Sequence, residues 1–115
     1  MKHKFYFGLL LIFFSLNANL FAQNFWVPDS NFRNVLKQLY PSCFTAQDSL
    51  NTTCSLVQSN TYLYVGNSNI SSLNGIGYFT SLRILICPQN NLTSLPALPA
   101  TLTYLDCQEN QLTSL

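Results

Sequence analysis

The sequence predicts an α/β solenoid, a right-handed superhelix of short parallel strands that begins with a helical N-terminal cap. Three observations predict it. First, the segment Leu82–Leu95 superposes without a gap on Leu102–Leu115, and a weaker copy that starts near Leu63 precedes both. Second, an amphipathic helical stretch precedes these copies, where a stack of similar turns needs a terminal element with one polar face. Third, the chain opens on a short apolar run with a basic head, and all four cysteines lie beyond it, as suits an exported protein.

Residues 1–22 read as a signal peptide. Lys2, His3 and Lys4 form the basic head, and Phe5–Leu16 is an apolar run. A spanning helix needs about 20 residues, so the run is too short to be one. Cleavage after Ala22 leaves Gln23 at the new terminus, with Ala18 as an alternative site. Removal of the head takes the formal charge from +1 to −1, because Arg33, Lys37 and Arg83 then face Asp29, Asp48, Asp106 and Glu109. That balance offers nucleic acid no basic patch, and after signal cleavage no transmembrane span is expected. Localisation is therefore expected to be secreted or cell-surface.

Residues 23–58 are expected to form the cap, with one helix. Pro28 and Asp29 make a helix start, Asp29 being able to accept from the first free backbone amides. Phe32, Val35, Leu36 and Leu39 follow at i, i+3, i+4 and i+7, one apolar stripe that stops before Pro41. Cys43 and Cys54 flank the next loop. A disulfide there is the preferred reading, since it would tie down a segment with few other apolar residues.

Residues 59–115 carry the copies, about two and a half turns that are incomplete at the C-terminus. Leu82, Leu85, Cys87, Asn90, Leu92 and Leu95 fall on Leu102, Leu105, Cys107, Asn110, Leu112 and Leu115. In the earlier copy Leu63, Val65, Ile70 and Leu73 take the apolar places and Ser68 replaces the asparagine. The pattern L-x-x-L-x-C-x-x-N-x-L-x-x-L resembles the bacterial leucine-rich-repeat consensus, with internalin-like repeats and the L-P-x-L-P repeats of secreted effectors as its kin. Leu95-Pro96-Ala97-Leu98-Pro99 is similar to the latter. Val27-Pro28-Asp29-Ser30-Asn31-Phe32 is similar to an opening found before such repeats in bacterial surface proteins, although the acidic loop that often follows it is missing here. Calcium is accordingly not expected.

Alternation of side chains along a strand turns Leu85 and Cys87 inward and Ile84 and Ile86 outward. Asn90 and Asn110 mark the bend after each strand, where a side-chain amide can satisfy backbone groups that the bend would orphan, and an asparagine ladder is expected. Pro96 and Pro99 favour an extended return, whereas Gly75–Ser81 has room for a short helical or 3₁₀ segment. Cys87 and Cys107 take inward places on adjacent rungs about 4.8 Å apart, longer than the ~3.8 Å between β-carbons in a disulfide, and are expected to remain free thiols.

The resemblance implies recognition on the concave face. The residues that register assigns to it are Tyr62, Tyr64, Arg83, Ile84, Ile86, Tyr104, Asp106 and Glu109, a cluster of aromatic and aliphatic groups with charges beside it. Sheet propensity alone also favours aromatic and branched residues at these places. A protein or glycan ligand is expected there. Catalysis is not, because the exported part has no histidine and only scattered acids. No cofactor and no metal are expected. The alternative function is a targeting or spacer arm at the front of a larger secreted enzyme or adhesin. The last turn leaves leucines uncovered, so self-association through the C-terminal end is also expected.

Overall fold

A computed structural model of the chain describes residues 23–114. The predicted signal peptide and the terminal Leu115 lie outside the described residues. The chain runs through β1 (Asn24–Phe25), α1 (Ser30–Leu39), a 3₁₀ turn (Pro41–Cys43), β2 (Leu50–Asn51) and α2 (Ser55–Gln58). It continues through β3 (Tyr62–Tyr64), a second 3₁₀ turn (Ile76–Tyr78), β4 (Ile84–Ile86) and β5 (Tyr104–Asp106).

These elements correct the expected solenoid. The described residues form two small sheets, the antiparallel pair β1-β2 and the parallel triple β3-β4-β5, together with two α-helices. The physical reason is extent. A superhelix arises from a small rotation accumulated over many stacked units, and three very short strands are too few to accumulate it. A large share of the core comes instead from the N-terminal segment, where Val27, Phe32, Leu36, Cys43, Leu50 and Val57 are fully buried.

Helix α1 starts where the side chain of Asp29 accepts from the Phe32 N–H at 2.8 Å. The other carboxylate oxygen of Asp29 accepts from Ser71 N at 2.8 Å and Ser72 N at 3.2 Å, so one cap residue also pins the helix to a loop far along the chain. Phe32 and Leu36 are buried, and Val35 packs on their edge. Leu39 is not part of the stripe, being 48% exposed. The chain turns at Tyr40 into Pro41, and the Tyr40 ring takes the inward place, 5.9 Å from the Phe79 ring. Lys37 in the last turn suits the helix dipole and pairs with Asp48 across the surface.

The segment 23–58 also holds a second helix, not one. The short helix α2 buries Val57 and begins right after Cys54, which is bonded to Cys43 with their α-carbons 5.5 Å apart. The bridge joins the first 3₁₀ turn to the start of α2 and closes the loop that contains β2. β1 pairs with β2, Phe25 opposite Leu50, and Thr52 is satisfied by the Gln23 carbonyl through both its N–H and its hydroxyl.

In the parallel sheet Tyr62, Ile84 and Tyr104 stand abreast, as do Leu63, Leu85 and Leu105, and Tyr64, Ile86 and Asp106. The same backbone bonds recur beyond the strands: Val65 N donates to Ile86 O and Cys87 N to Asp106 O, each at 2.8 Å. The return path after β3 holds the 3₁₀ turn Ile76–Tyr78, which buries Ile76.

Candidate binding face

Each rung of the parallel sheet is held by polar groups at its exit. The Asn90 side chain is almost fully buried. Its Oδ1 accepts from Ser68 N and Ile70 N, both at 3.0 Å, and its Nδ2 donates to Val65 O at 2.8 Å and Cys87 O at 3.2 Å. Asn110 repeats the arrangement one rung on, accepting from Leu92 N at 3.0 Å and donating to Cys87 O and Cys107 O at 3.0 Å. The hydroxyl of Ser68, at the equivalent place of the first rung, makes only a local bond to Gly66 O.

These exits fix where the neighbouring side chains go. Asn67, Gln89 and Glu109 occupy corresponding places, and all three have positive φ, between 51° and 54°. A left-handed backbone at a residue with a β-carbon costs on the order of 1 kcal/mol. The sequence reading missed this column, since none of the three is glycine. The signal was present in the equal offset of each residue from its strand. Gln89 Nε2 donates to Glu109 Oε2 at 3.0 Å, so two members of the column are joined along the face.

Of the eight residues expected to recognise a partner, six stand in register on the sheet, Tyr62, Ile84 and Tyr104 in one row and Tyr64, Ile86 and Asp106 in the other, while Arg83 and Glu109 flank the strands. Tyr62, Tyr64 and Tyr104 are 53%, 51% and 55% exposed. Ile84 and Ile86 are half-buried, because they sit on the central strand with side chains from both neighbouring strands beside them. Arg83 is exposed at the edge of the strand. Asp106 is half-buried and its Oδ1 accepts from Gln108 N at 3.2 Å, while Glu109 is held by Gln89. The concavity expected of a superhelix goes with the superhelix, and the site is an exposed sheet face.

Gly66 is a further residue that sequence reasoning passed over. A β-carbon placed there would lie 2.8 Å from the Tyr64 hydroxyl oxygen, 2.9 Å from its Cζ and 3.0 Å from Pro88 Cδ. The phenol therefore lies across the Gly66 backbone, and a side chain at residue 66 would have to displace it. Tyr64 thus has one side against the chain and the other open to a partner, being 51% exposed. Outside this face, Trp26 is 53% exposed, and the Arg33 guanidinium sits 4.1 Å from its ring centroid while donating to Val27 O. That cation–π contact is a local brace of about 0.5–1 kcal/mol.

The thiols of the two inner rungs differ. Cys87 is fully buried and free, and burial, with Cys107 and Asp106 nearby, pushes its thiol up to about 12. Cys107 is free and partly exposed. Among the described residues no group of three or more histidine, cysteine, aspartate or glutamate side chains is placed to hold a metal ion.

Comparison with protein-family models, with curated proteins and with solved structures finds no match to this chain. The Cys43–Cys54 bridge is consistent with an extracellular protein. Among the described residues no helix is long and apolar enough to cross a membrane.

Proposed function

We propose that this chain is a secreted or surface binding module that engages a protein or glycan partner through the outward face of the parallel sheet. The observation that carries the reading is the exposure of Tyr62, Tyr64 and Tyr104 on one sheet whose strands are in register, each ring more than half open to solvent. Burying exposed aromatic rings is among the larger favourable terms at an interface. Arg83, Asp106 and Glu109 give the patch a polar rim of both signs. The likeness of residues 82–115 to leucine-rich repeats supports the same use, since outward strand residues are that family's usual recognition surface. The apolar N-terminal run and the disulfide together support export.

The test compares the native protein with the double variant Tyr64→Ala/Ile86→Ala on panels of immobilised polysaccharides and extracellular protein domains. Circular dichroism and thermal melting of both proteins establish that the variant stays folded. The variant is expected to lose at least about 2 kcal/mol of affinity for any captured ligand. Capture at the native level by the folded variant would overturn the proposal.

A further inference from the structure

We propose that Asn74 is a self-modification site, at which the Gly75 backbone nitrogen attacks the Asn74 side-chain amide and converts the residue to aspartate and isoaspartate. The bond between Gly75 N and Asn74 Cγ forms as the bond from Cγ to Nδ2 breaks. The proton of the Gly75 N–H leaves with the amide nitrogen as ammonia. Water then opens the resulting cyclic imide at either carbonyl, giving aspartate or isoaspartate with no change of oxidation state.

Three features of the turn favour the step. Asn74 is exposed, so its amide is open to water and base. Gly75 has no side chain to shield its nitrogen and is held at φ 112°, a conformation few other residues adopt. Among the described residues no hydrogen bond engages the Gly75 N–H or the Asn74 side-chain amide.

At four other asparagines in or beside loops the attacking amide is already engaged, three of them by the polar exits of the rungs. The nucleophile at Asn67 would be Ser68 N and at Asn69 would be Ile70 N, and both donate to Asn90 Oδ1 at 3.0 Å. At Asn91 it would be Leu92 N, which donates to Asn110 Oδ1, and at Asn51 it would be Thr52 N, which donates to Gln23 O. The asparagine ladder thus stabilises the sheet and also occupies the amides that would otherwise degrade its loops.

Conversion has a structural consequence. Isoaspartate adds a backbone carbon between Leu73 and Ile76, both fully buried. A β-carbon on Gly75 would already lie 3.2 Å from Phe25 Cε1 and 3.6 Å from Val27 Cγ2, so the turn is packed closely on the N-terminal segment. Ser71 and Ser72, just upstream, hold Asp29 and through it the start of α1. Lengthening the backbone here loosens the contact between the N-terminal segment and the sheet.

The experiment incubates the folded protein at mildly alkaline pH and follows each asparagine by peptide mapping, with enzymatic methylation to count isoaspartate. Asn74 is expected to convert at least about ten-fold faster than Asn67, Asn69 or Asn91, a barrier lower by ~1.4 kcal/mol. The isoaspartate fraction should melt at a lower temperature than the unconverted fraction. Asn74→Gln, an exposed change that keeps the amide but disfavours the five-membered ring, should abolish both effects. Equal rates at Asn74 and Asn67 in the folded protein, or unchanged ageing of Asn74→Gln, would overturn the inference.

Discussion

Cys87 and Cys107 hold the same place in two successive copies of one sequence pattern, yet one thiol is sealed and the other reaches solvent. The same contrast runs through their rungs. Leu82, Leu85 and Leu92 are fully buried, whereas Leu102, Leu105 and Leu112 are only partly so. β4 is the central strand and β5 an edge strand of the described sheet. Identical residues therefore contribute differently to stability, because burial is a property of neighbours and not of the pattern itself.

The largest effect that would break or sharpen this comparison comes from the leucine pair. Leu85→Ala should cost about 3–4 kcal/mol of unfolding free energy in chemical denaturation, and Leu105→Ala about 1–2, since the outer site gives up less buried area and can relax. Equal costs would mean that the two rungs are equally covered in solution. Next is the asparagine pair. Asn90→Ala removes the side-chain partner of the Ser68 and Ile70 amides and of the Val65 carbonyl inside the sheet, while Cys87 O keeps Asn110, and should cost about 2–4 kcal/mol, against about 1–2 for the half-exposed Asn110→Ala.

The thiols supply a chemical version of the same test. Cys107 should react with a thiol reagent in the native protein at neutral pH, while Cys87 should react only on unfolding. Because the Cys87 thiol is raised in the folded state, its contribution to stability is complete below its unfolded value of about 9 and is lost as pH rises toward about 12. A denaturation series across that window should show a decline that Cys87→Ala flattens. The smallest effect is at the rung exits. Gln89→Gly relieves the left-handed backbone and should gain about 0.5–1 kcal/mol, provided that the lost bond to Glu109 is a surface contact of little worth. A loss of stability would show that the side-chain bond outweighs the strain.

Much of the local architecture was legible beforehand. Asp29 as the helix start, Cys43 with Cys54, and the bend asparagines each follow from residue chemistry within a few positions, which sequence displays directly. The spacing of the copies along the chain corresponds to the register that sets Tyr62, Ile84 and Tyr104 abreast in the sheet. Less legible was anything that depends on a distant neighbour. Leu39 fits the helical stripe, yet Tyr40 takes the inward place against Phe79, and the fold built from these parts is two small sheets and not a superhelix. Gly66 carries no motif, and its use emerges only when the Tyr64 ring is seen to lie across it.

What the sequence by itself determined is the alternation that sends tyrosines outward and leucines inward, the cap, the bridge and the amides that close each bend. All of these arise from side-chain chemistry acting over short separations. The tertiary structure alone decided how deeply each rung is buried, which tyrosine lies across Gly66 and that Asn74 is left exposed next to an unengaged N–H. Those properties depend on which surfaces lie against one another, and a periodic pattern is the same whether or not a neighbour covers it.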